Sequence, residues 1–266
     1  RRLQLGSKGT FNMILDSVVA RPKKVALIGD SAVGKTTAIG ALANAGFEVG
    51  ILDVDNGYAV LSDPLRVKPE NRKNVHIEHV DISDGIGWEN LGKALNGSWD
   101  RWGPVGSWSK SRVFCLDSGS IATKMVFRHV CKSLGVSPDI DVLKMQPKDA
   151  ANLYHHVSER FFHLIARLNA DETKCHVIVT YHLRNVTPLS QNPTWVIASD
   201  GTKLHIDLPK LYPDIWHLTK MGRVRTLLTA SKGVGGELPL KCSNPSLLSE
   251  SETLTDGLAG IFLKLG

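Results

Sequence analysis

The residues best suited to chemistry lie in the segment GDSAVGKT, residues 29 to 36. The pattern G-x-x-x-x-G-K-T follows four apolar residues and precedes an alanine-rich segment, which is the strand and helix context of a phosphate-binding loop. Gly29 and Gly34 allow a turn that points consecutive backbone N–H groups inward, and the positive end of the following helix adds attraction for an anion. The segment therefore predicts a site for the phosphates of a nucleoside triphosphate.

Lys35 and Thr36 supply the charged group and the metal-binding group of this loop. The Lys35 ammonium is expected to reach the β- and γ-phosphates, and the Thr36 hydroxyl is expected to coordinate Mg²⁺. The residues predicted to contact the nucleotide form one run: Gly29, Asp30, Ser31, Ala32, Val33, Gly34, Lys35, Thr36 and Thr37.

Two apolar segments end in aspartates. Asp117 ends VFCLD, where a carboxylate can hold the metal together with Thr36, usually through water. LDVDNG carries Asp53 and Asp55, and Asp55 could orient and polarise the water that attacks the γ-phosphate. The same Asp-x-Asp-Asn-Gly run is also strong turn chemistry, and Asp53 faces either structure or metal.

His182 follows a third apolar segment, VIVTY. Ligands of α/β proteins bind at the carboxyl edge of the sheet, so a polar side chain there can sense the γ-phosphate and relay its loss to the next loop. The alternative is an ordinary surface histidine. The residues predicted to act in catalysis are Lys35, Asp55, Asp117 and His182.

These residues need a scaffold, and the chain alternates short apolar runs with helical patterns, as a mostly parallel sheet covered by helices requires. The predicted strands are 25–28, 49–53, 76–80, 112–116, 176–180, 215–219 and 224–229. The predicted helices are 36–45, 88–95, 121–134 and 150–168. The last two strands flank Gly222 closely and predict an antiparallel hairpin at the end of the sheet.

Three stretches fit no regular element, namely 96–111, 135–148 and 184–203, and loops of this length are usually functional or disordered. The first contains an aromatic and basic cluster suited to subunit packing or to nucleic acid: Trp99, Arg101, Trp102 and Trp108. The predicted division is an N-terminal extension at 1–22, an ATPase core at 23–240 and a tail with a short helix at 241–266.

Composition sets the broad class. The 266 residues are 42% hydrophobic and 22% charged, which is typical of a globular protein and allows one α/β domain. No apolar run approaches membrane-spanning length, and no secretory signal is evident, so a cytoplasmic protein is expected. The four cysteines form no CxxC pair and predict reduced, structural thiols. The net charge of +6 is compatible with a polyanionic partner.

Taken together, GDSAVGKT, LDVD, VFCLDS, VIVTYHLR and the closing segment LPKLYPDIWHLTKMGRVRTLLTA resemble the RecA/RadA-like recombinase ATPases. Within that group they resemble the compact phage nucleotide-binding proteins linked to single-strand DNA annealing. The resemblance covers about residues 24 to 232. It implies a RecA-like P-loop NTPase core with a mostly parallel central sheet flanked by helices, and ATP and Mg²⁺ as cofactors.

The resemblance also implies residue roles. Asp55 stands where the family usually has a catalytic glutamate, and His182 matches the γ-phosphate sensor. The family binds ATP between neighbouring subunits, so a basic residue of the hairpin would act on the adjacent subunit's phosphate. The candidates for that role are Lys220, Arg223 and Arg225.

The stretches 135–148 and 184–203 match the positions of the family's two DNA-binding loops. They combine a stacking ring with phosphate-seeking charges, the mixture that binds single strands, although Trp195 could instead fold back onto the domain. The candidate DNA-binding residues are Lys144, Lys148, Arg184, Trp195 and Lys203.

The function predicted on this basis is an ATPase that binds single-stranded DNA in recombination or annealing, in the host cytoplasm if phage-encoded. The expected partners are single-stranded DNA, further copies of the chain in an oligomer or filament, and a single-strand binding protein. Two alternatives remain: a helicase loader or assembly factor acting on a protein partner, and a P-loop kinase, which should show an arginine-rich lid that the sequence lacks.

Overall fold

An eight-stranded sheet with helices on both faces forms the body of the protein. A computed structural model describes residues 21–81, 86–97, 99, 102–186, 195–200, 204–230 and 239–265. Within these residues the strands are β1 (Lys24–Ile28), β2 (Glu48–Asp53), β3 (Val75–His79), β4 (Arg112–Asp117), β5 (His176–Tyr181), β6 (Leu183–Asn185), β7 (Trp195–Ile197), β8 (Asp214–Met221), β9 (Val224–Leu228) and β10 (Ser251–Leu254). The α-helices of the described segments are α1 (Lys35–Gly40), α2 (Gly87–Asn96), α3 (Gly119–Ser133), α4 (Pro147–Asn169), α5 (Leu204–Leu211) and α6 (Ala259–Lys264).

The strand order in the large sheet is β10-β9-β8-β1-β5-β4-β2-β3. The strands from β8 to β3 in this order run parallel, while β8, β9 and β10 are successively antiparallel. The predicted α/β class, with a mostly parallel sheet and a closing hairpin, is confirmed. Because β5 lies between β1 and β4, the carboxyl end of β5 falls between the loop after β1 and the last residue of β4.

Two apolar cores fix the sheet between its helical layers. On one face, α3 and α4 contribute side chains such as Met125, Phe161 and Ile165. On the other face, Ile39 of α1 and Phe262 of α6 pack on the same sheet. Every residue of β1 and β5 is buried, which explains why both strands read as continuous apolar runs in the sequence.

The tryptophans between α2 and β4 belong to the core, which neither interpretation of the sequence anticipated. Trp99 is 0% exposed and Trp108 is 1% exposed, and their rings meet edge to face at a centroid distance of 5.3 Å. Gly50 of β2 makes room for them, since a Cβ at this position would lie 2.5 Å from the Trp108 ring. The Arg112 guanidinium lies 5.4 Å from the Trp102 ring centroid. Arg101 lies outside the described residues.

Several elements differ from the sequence-based prediction. The helix after the loop is α-helical only to Gly40 and continues as a 3₁₀ helix over Ala41–Ala45, the tighter form common at helix ends. The stretch 184–203, expected to be irregular, contains β7 and most of β6, which pair as a small antiparallel sheet. Helix α5 and strand β10 were not predicted.

The predicted domain division stays a prediction, and its N-terminal extension lies outside the described residues except for positions 21 and 22. In the tail, β10 adds a strand to the sheet beside β9, and α6 packs on the α1 side. Within the described ranges, no helix is both long and apolar enough to cross a bilayer.

Candidate functional site

The loop between β1 and α1 has the backbone features that the sequence pattern predicts. Gly34 adopts φ +97°, a left-handed conformation that strongly favours glycine, and its carbonyl accepts the bond from Ala38 N–H that begins α1. At the other end of the loop, a Cβ on Gly29 would lie 2.6 Å from the Leu218 carbonyl oxygen of β8. Both glycines are therefore required, one for its dihedral angle and the other for close backbone packing.

Lys35 lies folded over this loop. Its side-chain ammonium donates hydrogen bonds of 2.9 Å to the carbonyl oxygens of Gly29 and Asp30. Only 6% of the residue is exposed, and burial lowers the pKa of Lys35, while the nearby carboxylates of Asp117 and Asp55 act in the opposite direction. The ammonium is thus held between the loop backbone and the acidic residues.

Asp117 binds the loop helix and β5 at the same time. One carboxylate oxygen accepts a hydrogen bond of 2.5 Å from the Thr36 hydroxyl, and the other accepts one of 2.5 Å from the Thr180 hydroxyl. Burial raises the pKa of Asp117, and the two threonine bonds counteract the shift. The structure therefore brings together Thr36 and Asp117, the two residues predicted to bind the metal.

Asp117 also belongs to a cluster of three aspartates. Oxygen atoms of Asp53, Asp55 and Asp117 lie within 4.8 Å of one another, because Asp53 and Asp117 are paired neighbours at the ends of β2 and β4. An all-oxygen set of carboxylates and a threonine hydroxyl is the donor chemistry that Mg²⁺ prefers. The residues present therefore fit the predicted metal ion.

Asp53 itself is fully buried and already has two partners. Its carboxylate accepts a 3.0 Å hydrogen bond from the Gly57 N–H and lies 3.0 Å from Nδ1 of His79. These contacts fix the start of the segment after β2, on which Asp55 is carried. The sequence left open whether Asp53 serves the structure or the metal. In the structure Asp53 does both: it accepts a hydrogen bond from the backbone and it borders the candidate metal site.

Asp55 and His182 face each other beside the loop. Nε2 of His182 lies 3.6 Å from an Asp55 carboxylate oxygen, and Nδ1 lies 3.4 Å from Ser31 Oγ and 3.5 Å from Lys35 Nζ. The contact with His182 is the main cause that lowers the pKa of Asp55, and the charge of Lys35 adds to it. Asp55 is consequently an ionised carboxylate at neutral pH, next to the residue predicted to sense the γ-phosphate.

Sequence reasoning missed Gly57, which borders the same space. A Cβ on Gly57 would lie 3.0 Å from Asp55 Oδ1, 3.4 Å from Thr36 Oγ1 and 3.9 Å from Asp117 Oδ2. The Asn-Gly pair is visible in the sequence, but as a pattern it indicates only a turn. The contact between His79 and Asp53 had no signal at all, because β3 carries no motif.

The predicted DNA-binding residues that the structure describes lie on four separate elements. Lys144 is 83% exposed in its side chain and lies 3.4 Å from Asp141, while Lys148 is exposed in the first turn of α4. Arg184 is exposed on β6. Trp195 on β7 is half-buried and packs against the core, as the alternative interpretation held. Lys203 lies outside the described residues, and the DNA-binding role stays a prediction.

The hairpin residues divide into two kinds. Lys220 and Arg223 are exposed near the turn, where a neighbouring molecule could reach them, and their action on an adjacent subunit stays a prediction. Arg225 instead donates a 3.1 Å hydrogen bond from Nε to the Val33 carbonyl of its own chain. The structure thus places Arg225 on the phosphate loop of the same molecule.

Comparisons with known proteins found similarity in structure only. No protein-family model and no curated protein matches the sequence. The crystal structure of the RadB recombinase superimposes with a TM-score of 0.42 and 15% identity, covering 80% of this chain and 84% of that chain. A prototypical ATPase from the type III secretion system of pathogenic bacteria superimposes with a TM-score of 0.43 and 15% identity, covering 74% of this chain and 51% of that chain. The function proposed next therefore rests on the site.

Proposed function

We propose that the protein is a RecA-like P-loop ATPase that hydrolyses ATP with Mg²⁺. The observation that carries this proposal is the convergence of three groups at one sheet edge. They are the Lys35 ammonium on the loop, the hydrogen-bonded Thr36 and Asp117 pair, and the facing Asp55 and His182 side chains. An anion-binding loop, an oxygen-rich metal site and an ionised carboxylate are the parts that phosphoryl transfer to water requires.

The side chains suggest a division of labour. Lys35 and the loop N–H groups bind the β- and γ-phosphates and stabilise the negative charge that develops on them. Thr36 and Asp117 would hold Mg²⁺, which neutralises phosphate charge. Asp55 accepts a hydrogen bond from the attacking water and orients it. His182 lies within reach of Ser31, Lys35 and Asp55, and these contacts support a role in contacting the γ-phosphate and responding to its loss.

We also propose a narrower role, namely ATP-dependent binding of single-stranded DNA in recombination or annealing by an oligomer or filament. The exposed basic side chains of Lys144, Lys148 and Arg184 and the net charge of +6 favour a polyanionic ligand. The annealing role, the phage subgroup, a single-strand binding protein as partner and the cytoplasmic location rest on the sequence alone. The alternative of an assembly factor on a protein partner keeps the same site.

The deciding experiment measures ATP turnover with and without single-stranded DNA in the parent protein, Lys35→Ala and Asp55→Asn. We expect Lys35→Ala to weaken nucleotide binding, and Asp55→Asn to keep binding while losing turnover by about a hundredfold or more. Lys110→Ala, at the opposite edge of the sheet, serves as the control. Equal turnover in all the proteins would reject the assignment. Turnover that responds to a protein partner and ignores DNA would favour the assembly factor.

A further inference from the structure

The hairpin formed by β8 and β9 contacts both glycines of the phosphate loop. On β8, the Leu218 carbonyl occupies the space beside Gly29. On β9, the Arg225 guanidinium occupies the space beside Gly34, where a Cβ would lie 2.5 Å from Nε and 3.0 Å from Nη2. Each end of the loop is thus packed against one strand of the hairpin, and no side chain larger than hydrogen fits at either glycine.

Arg225 also fixes the orientation of one peptide group in the loop. Its Nε donates a hydrogen bond to the carbonyl oxygen of Val33, so this carbonyl points toward the hairpin. In a trans peptide the C=O and the following N–H point in opposite directions. Because Arg225 holds the Val33 carbonyl toward the hairpin, the N–H of Gly34 points away from the hairpin, where a phosphate oxygen would accept it.

We propose that Arg225 is a positioning residue that preorganises the phosphate loop from within the same chain. Without such a contact, the loop has to be ordered by the nucleotide itself, and this ordering reduces affinity. In the backbone register of the hairpin, Arg225 lies opposite Lys220 and directly follows Val224. Near the turn, Met221 is 87% exposed and Val224 is 53% exposed. A molecule that contacts the exposed turn could therefore affect the phosphate loop through β9, which carries Arg225.

Loop order in the nucleotide-free protein is the first readout, and it is independent of any activity. Hydrogen exchange of the amides of residues 29–36 is compared in the parent, Arg225→Met and Arg225→Lys. Removing a charge-assisted hydrogen bond should accelerate this exchange by about tenfold in Arg225→Met. Arg225→Lys should restore little of the protection, because a lysine ammonium lacks the planar fork that lies against Gly34. Arg160→Met, on the exposed side of α4, should leave the exchange unchanged.

Nucleotide affinity is the second readout, and this part rests on the proposed function. Titration with a fluorescent ATP analogue should give a dissociation constant raised by about tenfold in Arg225→Met, and KM should rise more than kcat falls. If the parent does not bind ATP, the proposed function fails, while the exchange experiment still decides the role of Arg225.

Mixing separates action within a chain from action between chains. Arg225→Met and Lys35→Ala subunits, each impaired, are combined and assayed for turnover. We expect no recovery, because both residues serve the same loop in the same molecule. Recovery of turnover, or exchange in Arg225→Met that equals the parent, would overturn the proposal. If Arg225→Met does not fold, Arg225→Lys alone supplies the exchange comparison.

Discussion

Asp117 shows how a buried carboxylate can remain usable. It is 3% exposed, and burial raises its pKa, so its charge depends on the hydroxyl groups of Thr36 and Thr180. During the reaction Thr36 is proposed to coordinate the metal, which leaves the Thr180 bond as the constant partner of the carboxylate. Thr180 is itself fully buried, and therefore its hydroxyl has no water to replace Asp117.

The first prediction concerns Thr180→Val. This change keeps the shape of the side chain but removes the hydrogen bond to Asp117, so we expect a loss of about 1–3 kcal/mol in the free energy of unfolding. The Mg²⁺ concentration needed for half-maximal turnover should rise as well. Urea unfolding and a Mg²⁺ titration test both effects. Thr180→Ser retains the hydroxyl and should remain close to the parent, and equal losses in the two variants would contradict the argument.

The second prediction concerns Gly57→Ala. The backbone of Gly57 has φ −85°, which alanine adopts without strain, so the protein should fold normally. The added methyl group enters the space between Asp55, Thr36 and Asp117. We expect the Mg²⁺ requirement for turnover to rise by about tenfold, equivalent to about 1.4 kcal/mol. Turnover over a Mg²⁺ series provides the measurement.

Gly92→Ala is the matched control for this prediction. Nothing lies within 4 Å of a Cβ at Gly92, which is in the interior of α2. Alanine there should stabilise the helix slightly, by up to about 1 kcal/mol, without any effect on the metal requirement. If both glycine variants respond to Mg²⁺ like the parent, the methyl group does not enter the metal site.

The motif residues could be placed from sequence because their spacing is fixed by local structure. A loop between a strand and a helix determines the positions of Lys35 and Thr36, and strand ends carry Asp55 and Asp117 to one edge. The contributions of Gly57, His79 and Arg225 could not be placed in this way. Each depends on a partner distant in the sequence or on a small side chain leaving space, and neither property changes the pattern of apolar and polar residues.

At the scale of elements, the buried strands were predicted to within two residues because burial makes them continuous apolar runs. The misses have physical reasons. Strands β6 and β7 have three residues each, too few to show an alternation. Helix α5 contains Pro209, a residue that disfavours a helix interior, so the sequence pattern does not indicate a helix there. Strand β10, with the sequence SETL, has a single apolar residue, the half-buried Leu254, and pairs along the edge of β9.

The attachment of α6 provides a third prediction, on acid stability. His176 of β5 accepts a 3.0 Å hydrogen bond from the Lys23 N–H at Nδ1 and lies 5.1 Å from the Phe262 ring of α6. Burial, reinforced by the charges of Lys23 and Lys24, lowers the pKa of His176 from about 6.5 to about 4. The folded protein therefore holds this ring in its neutral form.

Between about pH 6.5 and pH 4, His176 of the unfolded chain binds a proton that folded His176 does not. The free energy of unfolding therefore decreases as the pH is lowered through this window. From about pH 7.5 to about pH 5 we expect a loss of about 2 kcal/mol from this residue. Urea unfolding at the two pH values measures it. His176→Asn keeps an acceptor for Lys23 but does not titrate, and its stability should depend less on pH by that amount. An unchanged pH dependence would exclude His176 as the cause.

At the scale of the whole molecule, the proposed DNA ligand leads to a prediction about salt. Affinity for a single strand falls with salt in proportion to the number of phosphates neutralised, with a slope of about 0.7 per contact. Replacing Lys144, Lys148 and Arg184 together by alanine should lower the slope of log affinity against log salt by about 2. Filter binding with ATP and single-stranded DNA over a salt series gives the slopes.

A control with equal charge removal uses Lys68, Lys73 and Lys110. These lysines precede β3 and β4 and therefore lie at the amino edge of the parallel strands, opposite the phosphate loop. Their replacement should leave the slope close to that of the parent. If both triple variants change the slope equally, the interaction reflects net charge alone. If the protein retains no single-stranded DNA on the filter at any salt concentration, DNA is not the ligand.

The shortest strand of the large sheet covers an edge that would otherwise be open to pairing with another molecule. Strand β10 has only four residues, and its Glu252 carboxylate is held by Lys264 of α6, 2.7 Å away, so the outermost strand is brief and carries a charge pair. If the chain were cut before Ser251, β9 would present its backbone donors and acceptors to solvent along the margin. Aggregation through edge-to-edge strand pairing would then compete with any ordered assembly.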